Sequence, residues 1–134
     1  MSYLPDTNVW VCMLRNTSTR VSDRIRSAPP GEILLCSITL AELWYGAVHS
    51  RKQAENLRAL DRLRAEFSSI PFDDDCAATY AQIRSSLARA GTPIGPNDLM
   101  IAAIAMANGL TVVTRNVREF QRVAGLRVEN WESP

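Results

Sequence analysis

Three carboxylates stand where an extended or turn segment hands over to an apolar helical one. They are Asp6 in Tyr-Leu-Pro-Asp-Thr-Asn, Glu42 in Ser-Ile-Thr-Leu-Ala-Glu-Leu and Asp98 in Gly-Pro-Asn-Asp-Leu-Met-Ile-Ala-Ala. A fold that brought the three handovers together would make an acidic cluster, and a bound divalent metal is its simplest counter-charge. Hard Mg²⁺ prefers carboxylate oxygens and keeps some of its waters, so acids without His or Cys suit it better than zinc. Each acid also has a local reading. Thr39-Leu40-Ala41-Glu42 has the form of a capping box, with Thr39 at the N-cap and Glu42 three residues on. Asp98 suits the first turn of a helix and Asp6 an N-cap. The two kinds of role are compatible, because a helix N-terminus stabilises an ionised carboxylate.

The elements that must position these acids follow from periodicity. Tyr3-Leu4, Ile33 to Ile38, Leu110 to Thr114 and Leu126 to Val128 read as extended, with Ile70-Pro71-Phe72 a weaker candidate. Val9 to Leu14 starts a helix, and Val21 to Ser27 forms a second, stopped by Pro29-Pro30-Gly31. Leu57, Leu60, Leu63 and Phe67 recur at three- and four-residue spacing, which predicts an amphipathic helix from Gln53 to Phe67. Asp75 to Ala90, closed by Gly91, passes the same test. Leu99 to Ala107 is apolar nearly all round and should pack on both sides. Strands alternating with helices predict an α/β fold with a mainly parallel sheet, and in open sheets of this kind ligands collect beyond the carboxyl ends of the strands. Asp6, Glu42, and the run Thr114, Arg115 and Asn116 with Glu119 further on should then share one rim.

A chain of 134 residues fits one domain, 1–134, and can bury a core without staples. The chain shows no repeat and no linker. A net charge of +1 excludes a uniformly basic surface, so a polyanion must be held by a local patch. Fourteen of the fifteen cations are Arg, with Lys52 the exception; this reflects either codon composition or the suitability of Arg for phosphate. Cys12, Cys36 and Cys76 are widely spaced and read as buried thiols rather than a disulfide or zinc framework. His49 has no metal-ligand spacing and reads as a surface or helix-end residue. The start does not look like a signal peptide, and the longest apolar run falls well short of the roughly 20 residues of a spanning helix, so a cytoplasmic protein is expected.

Taken in order, Asp-Thr-Asn, Ser-x-Thr-x-x-Glu-Leu, Gly-x-Asn-Asp-x-x-Ile-Ala-Ala and Val-Thr-Arg-Asn-x-x-Glu-Phe resemble the PIN-domain ribonucleases, specifically the VapC toxins of bacterial toxin–antitoxin pairs. The likeness runs from Asp6 to Trp131 and includes Ile70-Pro71-Phe72-Asp73 and Gly91-Thr92-Pro93-Ile94-Gly95. It implies a three-layer fold with a parallel sheet between helices, a Mg²⁺ or Mn²⁺ site, endonucleolytic cleavage of RNA to 5′-phosphate and 3′-hydroxyl ends, a homodimer, and neutralisation by a small cognate antitoxin. Asp6, Asp98 and Glu42 match the family's metal acids. Many members put Asp where this chain has Asn116, and Glu119 would supply that charge here. Thr114 and Asn116 would make supporting contacts, with Thr7 and Asn8 orienting Asp6. Pro5 departs from the usual aliphatic residue and marks a strand end or edge. The likeness of the Gly95 to Ala107 block to toxins that cut initiator transfer RNA makes transfer RNA the first expected target.

Arg115, Arg118, Arg51 and Lys52 are either phosphate contacts or ordinary solvated charges. Trp44 and Tyr45 follow Glu42 on its helix and read as core or dimer-interface residues, with base stacking the other option. Two other function classes remain: a metal-dependent phosphatase, against which the absence of an Asp-x-Asp pair counts, and a catalytically silent RNA-binding or antitoxin-binding module. No Gly-x-Gly-x-x-Gly follows a strand, so a dinucleotide enzyme is not expected.

Overall fold

The computed structural model describes residues 1–132 and contains five short strands and seven helices. The last two residues of the expected domain lie outside the described residues. In chain order the elements are β1 (Tyr3–Pro5), α1 (Thr7–Arg15), α2 (Thr19–Ser27), β2 (Leu35–Cys36), α3 (Ser37–Val48), α4 (Gln53–Glu66), β3 (Ser69–Ile70), α5 (Asp74–Ala90), α6 (Pro96–Asn108), β4 (Thr111–Val113), α7 (Val117–Phe120) and β5 (Val128–Glu129). All strand pairs are parallel: β1 lies between β4 and the β2 segment, β4 pairs with β5, and β2 pairs with β3. The Tyr3–Ile33 bridge, with Tyr3 N–H to the Glu32 carbonyl at 2.8 Å and Leu34 N–H to the Tyr3 carbonyl at 3.0 Å, joins the two parts. A parallel ladder needs crossover connections, and α helices supply them.

The sheet is apolar on both faces, as a parallel sheet covered on both sides requires. Adjacent strand residues point opposite ways. Leu4, Cys36 and Val112 join the core built with α5, α6 and α7, whereas Leu35 and Val113 join the core built with α1 to α4. α6 is the central helix expected from its composition, with Ile101 through Ala105 fully buried. Trp10 anchors the opposite core, edge-on to Phe67 at 5.0 Å between ring centres.

Local chemistry sets the boundaries. Asp73 caps α5 by accepting from the Cys76 N–H at 3.0 Å, and Gly91 ends it at φ 70°, a conformation that glycine adopts without cost. Pro5 is the last residue of β1, where its missing donor is not needed. The predicted extended run Ile33 to Ile38 is shorter than expected: Ser37 and Ile38 already belong to α3, which leaves β2 with no intervening turn. The capping-box reading of Thr39 and Glu42 fails for the same reason. Cys36 is the N-cap and makes no side-chain cap bond, and Thr39 is fully buried inside the helix, its Oγ1 3.5 Å from the Cys36 thiol. The weak strand at Ile70-Pro71-Phe72 is Ser69–Ile70, because Pro71 has no donor to extend it. The three thiols are free and buried, and His49 is exposed at the end of α3. Among the described residues no helix is long and apolar enough to cross a membrane.

Candidate active site

Asp6 leaves the carboxyl end of β1 and caps α1, its Oδ1 accepting the Val9 N–H at 3.1 Å. Its Oδ2 accepts the Thr114 hydroxyl at 2.6 Å, from the residue that follows β4. Asp6 is 4% exposed, and burial pushes its carboxyl above the usual range against the pull of Thr114 and the Val9 amide. Glu42 adds to that push and Arg115 opposes it. One carboxylate therefore both caps α1 and faces the strand rim beside Thr114.

Glu42 projects from the second turn of α3. The Thr7 hydroxyl donates to its Oε1 at 2.6 Å and lies 3.4 Å from Thr39 Oγ1. Thr7 thus orients Glu42 rather than Asp6. Asn8 is exposed and makes no hydrogen bond to Asp6 among the described residues; Val9 and Thr114 do the work expected of it. Thr7 and Glu42 are 35 positions apart, so only the packing of α1 against α3 reveals the pair.

Asp98 lies in the first turn of α6, after Pro96 and Asn97. Burial raises its carboxyl from 3.8 to about 7, and a hydrogen bond to Glu119 and the charges of Glu119, Asp6 and Glu42 push the same way. Glu119, on α7, is held in place by the Gly95 N–H at 2.8 Å and by the Asn116 side-chain amide. Burial opposes its charge, but the hydrogen bonds from Asp98, Gly95 and Asn116, with the nearby Arg122, outweigh burial and hold it below the usual range. Of this adjacent pair Asp98 is therefore the carboxyl that is harder to ionise and Glu119 the easier. The Gly95 bond ties the loop before α6 to α7, a contact that sequence spacing does not show.

The structure brings Asp98 within electrostatic range of Asp6, Glu42 and Glu119, and Asp6 within range of Glu42, at the strand rim. Among the described residues no salt bridge reaches any of the four. Nor do three of these side chains, as they stand, close around a single point. Arg115 is exposed at the rim and pairs with Glu132 at 3.5 Å. Arg118, Arg51 and Lys52 are also exposed, the last two in the turn between α3 and α4. Trp44 is packed against the α1–α4 core under Arg64, 4.7 Å from its ring centre, in keeping with a core role. Tyr45 is 65% exposed and is not a core residue of this chain.

The donor set fits a hard divalent cation. It offers only oxygens, and among the described residues no salt bridge neutralises its charge. Asp6 and Glu42 are fixed by hydroxyl and amide donors, leaving other oxygen lone pairs for an ion.

The PIN domain family model matches residues 3–126. The tRNA(fMet)-specific endonuclease VapC of Shigella flexneri is 38% identical over 131 residues, covering 98% of both chains. Ribonuclease VapC2 of Haemophilus influenzae is 34% identical, again over 98% of both. Among solved structures, a DNA-bound VapBC from Salmonella typhimurium superposes with a TM-score of 0.92 at 37% identity, covering 98% of each chain. A VapBC2 from Rickettsia felis, bound to a promoter DNA fragment, gives 0.88 at 34% identity, covering 98% of this chain and 99% of that one. A PIN-type parallel sheet, an acidic rim continuous with its strand ends and relatives that span the chain lead to one assignment: the chain belongs to the PIN-domain family, among the VapC ribonucleases.

Proposed function

We propose that this chain is a single-domain, Mg²⁺-dependent endoribonuclease toxin that cuts structured RNA, initiator transfer RNA first among its targets. The observation that carries the proposal is the placement of Asp98, at the start of α6, beside Glu119, Asp6 and Glu42 with no salt bridge to any of the four among the described residues; burial and these neighbours push its carboxyl up to about 7. Repulsion of this kind is tolerated where function needs it.

Asp6, Asp98 and Glu42 would hold the ion, with Glu119 as the fourth acid. When bound, Mg²⁺ or Mn²⁺ supplies an acidified water and a Lewis acid at phosphorus. The protein's own part is positional. Thr114 and the Val9 amide hold Asp6, Thr7 holds Glu42, and Asn116 with the Gly95 amide holds Glu119. The proton on Asp98 must leave before its carboxylate can ligate, so Asp98 couples ion binding to pH. Arg115, Arg118, Arg51 and Lys52 provide exposed cations for the RNA backbone. The nuclease acts as a homodimer in the cytoplasm, and a small cognate antitoxin silences it. The antitoxin proposal rests on the VapBC relatives, one of which, VapBC-5 from Mycobacterium tuberculosis, is described as a member of the VapBC family of toxin–antitoxin systems.

Mapping RNA ends in cells after brief expression tests the proposal. A single dominant cut in initiator transfer RNA, absent for Asp6→Asn, is the expected result. Unchanged RNA ends, or release of phosphate from monoesters instead, would contradict it and favour a silent module or a phosphatase respectively.

A further inference from the structure

We infer that the concavity between α3 and the start of α6 is a nucleobase subsite, with Tyr45 as its stacking platform; this rests on the ribonuclease reading of the adjoining acids. Tyr45 lies three residues after Glu42 on α3, so the two side chains occupy neighbouring positions on one helix surface. Although it is a large aromatic residue, it belongs to neither core and is 65% exposed. The His49 ring lies 4.2 Å away at 29°, stacked behind it one helical turn on. The stack leaves the phenol ring open to solvent.

Ile38, Ala41, Glu42, Tyr45, Asn97 and Met100 line the concavity, which encloses about 420 Å³. Two of these walls belong to the acidic site: Glu42 is itself one of the acids, and Asn97 is the residue before Asp98. The lining therefore offers a π-face, apolar side chains and a neutral amide that both donates and accepts, all next to the phosphate-cutting rim. An unpaired base has the matching chemistry, with a flat π-surface and a polar edge. A base is one sugar removed from its phosphate, so the occupant is a base flanking the cut. A second copy of this chain is the alternative occupant, and the oligomeric state of Tyr45→Ala distinguishes it.

The test combines single abasic nucleotides, placed in turn around the cut of an RNA stem-loop, with Tyr45→Ala, Tyr45→Phe and Asn97→Ala. In the wild type one flanking abasic position should raise KM roughly tenfold, the usual scale of one lost base stack. Tyr45→Ala should raise KM for the intact RNA by a similar factor and be insensitive to that abasic position. Tyr45→Phe should retain the wild-type pattern, and Asn97→Ala should blur base preference at the same position. Independent, multiplying effects of Tyr45→Ala and the abasic nucleotide would overturn the subsite, as would a dimer that sediments as a monomer once Tyr45 is Ala. A 2-aminopurine at the flanking position gives a readout that needs no cutting. Quenching by the wild type and not by Tyr45→Ala supports the subsite even if no RNA is cleaved, a result that would count against the nuclease reading alone; equal fluorescence with both proteins overturns the subsite.

Discussion

Replacing Asp98 by Asn should stabilise the metal-free protein, and the gain should depend on pH in a way that a simple helix cap would not. The native Asp98 keeps its proton up to about 7, whereas the unfolded chain gives it up near 3.8. Between those values the native state binds more protons, so wild-type stability falls as pH rises and levels off above about 7. Glu119 acts in the opposite direction, but its carboxyl is held below 4.5, so its contribution is confined to the acid edge of this window, below about 4.5. A fully buried carboxyl shifted from 3.8 to about 7 would cost the folded state about 4 kcal/mol at neutral pH. Asp98 is only half-buried, and solvent screening leaves on the order of 1–2 kcal/mol. Asn keeps the shape, and its amide can donate to Glu119 in place of the carboxyl proton. Urea melts of both proteins in EDTA, from acid to mildly alkaline pH, should show the mutant's advantage growing through the window and then holding constant. A pH-independent difference, or a mutant less stable at alkaline pH, would refute the picture of a proton trapped by neighbouring acids.

Millimolar Mg²⁺ at matched ionic strength should stabilise the wild type by about 2.7 kcal/mol at a hundredfold excess over Kd, read as a rise in Tm, and should stabilise Asp98→Asn far less. The wild-type shift should also grow between about pH 6 and pH 8 as Asp98 becomes easier to ionise; an equal small shift in both proteins would remove the metal site. Glu119→Gln should lower metal-dependent cleavage more than Asn116→Ala, because Glu119 provides the charge and Asn116 only steadies it; initial rates that rank the other way would make Asn116 the functional residue. Thr114→Val should cost about 1–3 kcal/mol, measured by chemical melt, and depress cleavage, since the buried Asp6 carboxylate loses its short hydroxyl partner.

The handovers that carry the acids are legible in the sequence because each combines a local signal with a periodicity change. Asp6 precedes a helical run, and Asp98 follows Gly-Pro and opens an apolar one. The Glu42 handover is legible only in part. Thr39 looks like a cap because Ser-Ile-Thr could end a strand, but packing draws Ile38 into the helix and the Thr39 hydroxyl into the core. Which donor holds which acid is not legible, because the Thr7–Glu42 and Thr114–Asp6 bonds span 35 and 108 positions and exist only after α1, α3 and β4 pack. The short helix α7 escapes periodicity altogether. At four residues it has no face to reveal, and the Glu119 bond to Gly95 is what ties it to the site.

The most direct test incubates purified initiator transfer RNA with the wild type, Asp6→Asn and Asp98→Asn, in Mg²⁺, Mn²⁺ and EDTA. The expected result is one cut with a 5′-phosphate and a 3′-hydroxyl end, made only by the wild type and only with metal, while both variants stay folded. Cleavage that persists in EDTA, or in either variant prepared free of wild-type contamination, would contradict a metal site built on these acids.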